Sequence, residues 1–138
     1  MKIGILSRNP ALYSTRRLAQ AAWTRGHQVR ILDTINLAVH VGINGHGPPE
    51  AKVLEPGSLG LPRAIEIPQL DAIIPRIGTS VTYYGLAVVR QFEAMGIVST
   101  ASSVAIAISR DKLQSLQLMT QAQLPIPRTA IIARPEAL

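Results

Sequence analysis

The sequence predicts an α/β fold with a mainly parallel sheet flanked by helices, and three features predict it. Residues 2–7, KIGILS, form a short apolar run that ends in polar residues, as a buried parallel strand does at the start of a domain. Residues 28–32, QVRIL, repeat that pattern after a helical stretch, so strand, helix and strand follow one another within the first 33 residues as a βαβ unit. Residues 71–96, DAIIPRIGTSVTYYGLAVVRQFEAMG, then give a strand that stops, turns and becomes a helix.

The elements follow in order. The first helix is expected over residues 14–25, with Ser14 or Thr15 as N-cap, Leu18, Ala21 and Ala22 inward and Gly26 as terminator. The turn before it, SRNPALYS, holds no glycine that would let backbone approach a pyrophosphate, so a dinucleotide fingerprint is absent. Asp33 reads accordingly as a strand-end or capping carboxylate. Residues 34–70 are irregular and rich in Gly and Pro, with brief strands expected at 39–43, 51–54 and 64–67, at a sheet edge or in an oligomer contact. His40 and His46 lie there without a third ligand at a suitable interval, and His27 follows a helix end; none suggests a metal site.

In the 71–96 stretch, Pro75 removes a backbone donor, Arg76 places a permanent charge at a strand end, and Gly78, Thr79 and Ser80 supply turn and cap chemistry. Val88, Val89, Phe92 and Met95 recur at helical spacing before Gly96, a left-handed C-terminal cap. Ligands of open α/β sheets collect at the carboxyl ends of strands, where helix N-termini offer unpaired N–H groups, so Arg76 is the first candidate ligand contact. A short strand at Ile97 and Val98 and a small apolar helix at 104–108 come next. Ser109 is the expected N-cap of a further helix, with Asp111 complementing its dipole and Leu113, Leu116 and Met119 spaced for packing. Lys112 in its first turn opposes the dipole, which hints at a nearby anion. Residues 124–128, LPIPR, read as a rigid connection, 129–133 as a strand, and Arg134 with Pro135 as the opening of a helix at which the chain stops; this implies a truncated piece of a longer protein.

Composition narrows the function. With 138 residues the chain is long enough for one domain, or one and the start of another, and buries about two-thirds of its unfolded surface. It has no cysteine, which excludes disulfides, thiolate metal sites and cysteine nucleophiles. No apolar run approaches the roughly 20 residues of a membrane span, so no membrane partner and a cytoplasmic location are expected. The net charge of +6 is dispersed and aromatic residues make up 4%, without the interleaved basic and aromatic stripe of single-strand binders; no direct nucleic-acid partner is expected. No Ser, His and Asp constellation, general base or metal set can be assembled, so the catalytic and metal-ligand sets are empty.

Six stretches together resemble the RimK group of ATP-grasp ligases, which add glutamate to the C-terminus of a small-subunit ribosomal protein. They are MKIGILSRNPALYSTRRL at 1–18, RGHQVRILD at 25–33, DAIIPRIGTSVTYYG at 71–85, RQFEAMG at 90–96, SVAIAISRDKLQSLQLM at 103–119 and LPIPRTAI at 124–131. The combination of PRIGT, an aromatic pair before a glycine, and a later RDKL is the specific part. The resemblance implies a Rossmann-like pre-ATP-grasp domain over residues 1–100 and the truncated beginning of an ATP-grasp domain over 101–138. It further implies ATP with magnesium or manganese in the complete enzyme, an acylphosphate intermediate, and glutamate and a ribosomal protein tail as substrates. A homo-oligomer, a tetramer by resemblance, is also implied.

By the same resemblance Lys112 reaches the ATP phosphates. Arg76 holds a carboxylate or phosphate of the substrate, or fixes the strand end by a salt bridge. Tyr83 and Tyr84 line the same cleft, or pack under the helix. The ATP-binding strand lysine and the metal ligands of the family have no counterpart up to Leu138, so the chain alone is expected neither to catalyse nor to bind nucleotide tightly. Two alternatives stand beside this reading: a related ligase acting on a cofactor, carrier protein or dipeptide, and a free-standing α/β binding or oligomerisation module.

Overall fold

A computed structural model of the chain describes residues 1–43, 49–55, 65–66 and 69–134. Backbone packing divides the chain into two compact units, Met1–Ser103 and Val104–Leu138.

The first unit is built on a four-stranded parallel sheet. Strand β1 (Lys2–Leu6) runs into helix α1 (Tyr13–Thr24) and returns as β2 (Gln28–Leu32), in register from Lys2 opposite Gln28 to Leu6 opposite Leu32. Asp33 then caps a 3₁₀ turn, Thr34–Asn36, its side chain accepting from the Ile35 amide, so it has the capping role expected of it. Three antiparallel strands follow, β3 (Ala38–Ile43), β4 (Pro49–Glu55) and β5 (Ile65–Glu66), in the order β3-β4-β5. They are the brief strands expected in the Gly- and Pro-rich region, gathered into a second sheet; His46 lies outside the described residues. Strand β6 (Ala72–Pro75) re-enters the main sheet beside β1, followed by a 3₁₀ turn, Thr79–Val81, helix α2 (Thr82–Ala94) and the short strand β7 (Val98–Ser99). The main sheet has the order β2-β1-β6-β7.

This order explains the apolar runs of the sequence. Gly4, Ile5 and Leu6 are buried in succession, since β1 lies between two neighbours and is covered on both faces. Ile5, Leu6, Leu32, Ile73, Val88, Val89 and Phe92 are fully buried and form the core. Helix α2 packs on β7 and also on β3, β4 and the first 3₁₀ turn, so one helix joins the two sheets. Gly26 and Gly96 both have a φ of 76°, the left-handed conformation that ends α1 and α2 as the sequence predicts.

Several expectations are corrected. Helix α1 starts at Tyr13 after Leu12, with no side-chain cap, because Thr15 is drawn inward to a buried hydrogen bond with Ser7 at 3.0 Å. Met95 is 37% exposed, since α2 ends at Ala94 and Met95 lies past its last buried turn. The short strand falls one residue later than expected, at Val98 and Ser99.

In the second unit, α3 (Ser103–Arg110) leads to α4 (Lys112–Gln121). The N-cap of α4 is Asp111, which accepts from the Gln114 amide at 2.9 Å; Ser109 instead donates back to the Ile106 carbonyl within α3. Leu113 and Met119, expected to pack, are 40% and 43% exposed. Residues 129–133 form no strand, for among the described residues no ladder partner lies beside them. The helix expected from Arg134 and Pro135 onward lies outside the described residues. No helix among the described residues is long and apolar enough to cross a membrane.

Candidate functional site

The strand order places a topological switch point between β1 and β6. The connection leaving β1 runs toward β2, and that leaving β6 runs the other way, toward β7. A crevice therefore opens outside the carboxyl ends of these two strands, where open α/β sheets bind ligands. The Arg76 amide donates to the Leu6 carbonyl at 2.8 Å and the Ser7 amide to the Leu32 carbonyl at 2.9 Å, so the sheet's hydrogen bonding runs right up to the crevice floor.

Two arginines enter it. The Nη2 of Arg76 donates to Ser14 Oγ at 3.0 Å, across to the first turn of α1. The Nη1 of Arg8, just past β1, donates to Ser80 Oγ at 3.0 Å, across to the turn that leads into α2. Among the described residues the printed side-chain partner of each guanidinium is a neutral serine hydroxyl. The local chain supports this arrangement. Asn9 Oδ1 accepts from the Ala11 amide at 2.8 Å and shapes the turn, while the Ser7 and Thr15 hydroxyls fasten β1 to α1 beneath it. Neither α1 nor α2 has an acidic residue in its first turn or a side-chain cap, so two helix N-termini without local compensation lie near the two exposed arginines.

The other predicted residues are placed differently. Tyr83, in the first turn of α2, is 85% exposed. The Tyr84 hydroxyl donates to the Leu37 carbonyl at 2.5 Å, which ties α2 to the start of the antiparallel sheet. Lys112 belongs to the second unit, where it is the exposed first residue of α4 beside the capping Asp111. Arg8, Ser14 and Ser80 were not singled out as site residues in the sequence. The only sign of Arg8 there is a charged residue directly after the first strand. A cavity of about 360 Å³ lies toward the amino ends of β1 and β2, lined by Lys2, Ile3, Gln28, Val29, Arg30 and Leu70. That is the wrong end of a parallel sheet for a ligand, and the crevice has the stronger chemistry. Among the described residues no three His, Asp or Glu side chains converge to hold a metal.

A family model, the RimK PreATP-grasp domain, matches residues 1–106, the whole of the parallel sheet and its crevice. The chain belongs to the RimK pre-ATP-grasp family. Curated relatives agree. A probable alpha-L-glutamate ligase 1 of Pseudoalteromonas atlantica is 50% identical over 136 residues, covering 99% of this chain and 41% of the relative. A probable alpha-L-glutamate ligase of Vibrio atlanticus is 46% identical over 138 residues, or 42% of its length. The chain thus spans less than half the length of the relatives it matches.

Solved structures share the fold of this RimK-type chain. Macrocyclase MdnB of Microcystis aeruginosa superposes with a TM-score of 0.66 at 17% identity, over 99% of this chain and 56% of that one. ATP-grasp ligase PsnB, complexed with precursor peptide PsnA2 and AMPPNP, gives 0.64 at 20% identity, over 99% and 48%.

Proposed function

We propose that this chain is the substrate-facing front part of an ATP-dependent carboxylate–amine ligase that adds glutamate to the C-terminus of a small-subunit ribosomal protein through an acylphosphate. The observation that carries the reading is an anion-seeking crevice, walled by Arg8 and Arg76 at the β1/β6 switch point, on a chain whose family and curated relatives are those of glutamate ligases. Acidic substrates suit such a crevice, because a guanidinium fork and a carboxylate match in shape and charge.

The residue roles in this reading are these. Arg76 holds a substrate carboxylate beside the end of β6, Tyr83 offers an exposed ring in the first turn of α2, and Tyr84 contributes indirectly by fixing α2 to Leu37. Residues 1–100 act as the pre-ATP-grasp domain and 101–138 as the opening of the ATP-grasp domain, a division supported by the unit boundary at Ser103. Lys112 reaches the nucleotide phosphates; an exposed lysine at the start of a helix, where the dipole does not favour it, is free to do so. ATP, when bound, supplies activation of a carboxylate. In this reading ATP with magnesium or manganese belongs to the longer enzyme. A cytoplasmic location and assembly as a homo-oligomer complete the proposal.

The test uses a polypeptide in which this chain continues to the length of its curated relatives, incubated with ATP, glutamate and candidate acceptors. Mass spectrometry should show stepwise glutamyl additions to the ribosomal protein tail. Addition only to a cofactor, carrier protein or dipeptide would replace the acceptor, and ligation by these 138 residues alone would overturn the division of labour. In the long form, Lys112→Ala should raise the KM for ATP at least several-fold while the melting temperature stays unchanged. An unaltered KM and kcat would remove Lys112 from the site.

A further inference from the structure

We propose that the outer face of helix α1 is a docking surface for single-stranded nucleic acid, a partner that lies outside the ligase reading and does not depend on it. Residues 1–32 contain Lys2, Arg8, Arg16, Arg17, Arg25 and Arg30 and no acid, the first being Asp33. The inner face of α1 is spent on the core through Thr15, Ala19 and Ala22. On the outer face Arg16, Arg17, Gln20 and Thr24 are exposed, and two rings stand among them, Tyr13 at 73% and Trp23 at 57% exposure. With about 100° between successive residues, positions 13, 16, 20 and 23 fall within about 80° of arc, Arg17 lies just beside them, and the strip runs about 15 Å along the axis. Read along the chain these rings and charges are separate, which is why no direct nucleic-acid partner is expected from the sequence; the helix sets them side by side.

A surface helix normally sets its arginines against acids one turn away, and α1 has no acid to offer. Arg17 Nη1 donates to Gln20 Oε1 at 2.9 Å and Arg25 Nη1 to the Ala21 carbonyl at 2.9 Å, neutral partners that orient a guanidinium without cancelling its charge. One exposed ring would be ordinary; two rings separated by guanidinium groups on one strip call for a partner that is both anionic and flat-faced. Single-stranded nucleic acid is such a partner, since its phosphates take the arginines while its unpaired bases stack on the rings. An acidic peptide would use the charges and leave Tyr13 and Trp23 idle. A second copy seated on the same strip would bring Arg16 and Arg17 against their own like charges. A bilayer needs a broad apolar face, and here Arg16 and Gln20 interrupt the rings.

Trp23 is the one tryptophan of the chain, so its fluorescence reports on the strip directly. Titration of the 138-residue chain with a short oligouridylate should quench it saturably, and the logarithm of the affinity should fall linearly with that of the salt concentration, by about 0.7 for each phosphate neutralised. The double variant Arg16→Gln, Arg17→Gln should weaken binding at least tenfold and flatten the salt slope by about 1.4. Tyr13→Ala should weaken it about tenfold and leave the slope unchanged, because a ring contributes stacking and no charge. Both changes lie at exposed positions, and unaltered circular dichroism and melting temperature will show that the fold is kept. The same oligouridylate, carrying a fluorescent label, should bind the polypeptide extended to the length of the curated relatives with the same dependence on Tyr13. Absence of quenching, oligoglutamate binding as tightly as oligouridylate, a salt-independent affinity, a bilayer of anionic lipid shifting Trp23 while the oligonucleotide does not, or loss of binding in the longer form would each overturn the proposal. Ligation assays leave it untouched in either direction, since the strip takes no part in that chemistry.

Discussion

Replacing Gly85 by alanine sets two effects of opposite sign against each other, and the structure decides between them. In a helix interior the exchange should stabilise by about 1 kcal/mol, because alanine has the higher propensity. Gly85 is buried in α2, however, and a Cβ built there would stand 2.4 Å from Ile77 Cγ2, 3.1 Å from Cδ1 and 3.3 Å from Cγ1. Contact at 2.4 Å cannot persist. The atom involved is the branch methyl on the Ile77 Cβ, which moves only by a change of the stiff χ1 or of the backbone, and Ile77 is 7% exposed with little room to turn. Overpacking costs about 1–3 kcal/mol, and this case belongs at the upper end, so the net effect should be destabilisation by about 2 kcal/mol. For a chain of this size that lowers the melting temperature by roughly 6 °C. Urea and thermal unfolding followed by circular dichroism will measure it. The partner variant Ile77→Ala should cost about 2–4 kcal/mol alone, but the double variant should cost at least about 1 kcal/mol less than the sum, as the new methyl enters the space the isoleucine vacates. A Gly85→Ala protein as stable as the parent, or strictly additive costs, would refute the packing argument.

Two further expectations concern the ties between elements. Tyr84→Phe removes the hydroxyl that donates to Leu37 and should cost about 1 kcal/mol in urea unfolding, whereas Tyr83→Phe, at an exposed ring, should change stability by less than about 0.5 kcal/mol. Glu93 accepts from both the amide and the hydroxyl of Ser103, at 2.9 and 2.6 Å, so Glu93→Gln should cost about 1–2 kcal/mol and speed hydrogen exchange at the Ser103 amide; unchanged exchange there would show that the pair is dispensable.

The fold was legible wherever a local rule had no rival. The two outer boundaries of β2, the glycine terminators of α1 and α2, and the strand–turn–helix at 72–94 follow from apolar runs, left-handed glycines and helical spacing. Errors arose where a second partner, tertiary or local, outbid the expected one. Thr15 has the chemistry of an N-cap, yet Ser7, eight residues earlier, claims its hydroxyl in the core. Ser109 turned back on its own helix and left Asp111, the better acceptor, to cap α4. Residues 129–133 have the β-branched composition of a strand, but composition supplies no partner, and a strand exists only as one side of a ladder. The Gln91 amide, buried and reaching the His40 carbonyl at 3.3 Å, shows the same limit from the other side: a polar residue on the buried face of α2 is intelligible only once the second sheet is in place.

The candidate site was half legible for a related reason. Arg76 stands out in the sequence because Pro75, the charge and Gly78 follow an apolar run within a few residues, and a strand end is where such a charge matters. Arg8 sits in an equivalent place after β1, but its meaning depends on β6 being the neighbour of β1 rather than β2 alone. That pairing joins residues about seventy positions apart, and the bonds it permits, Arg8 to Ser80 and Arg76 to Ser14, span 72 and 62 positions. Each arginine taken singly is an ordinary surface charge. Only the strand order makes them a pair. The chemistry of the crevice is therefore a property of topology acting on residue types that are individually unremarked, since the β1/β6 register is what sets each arginine opposite its serine.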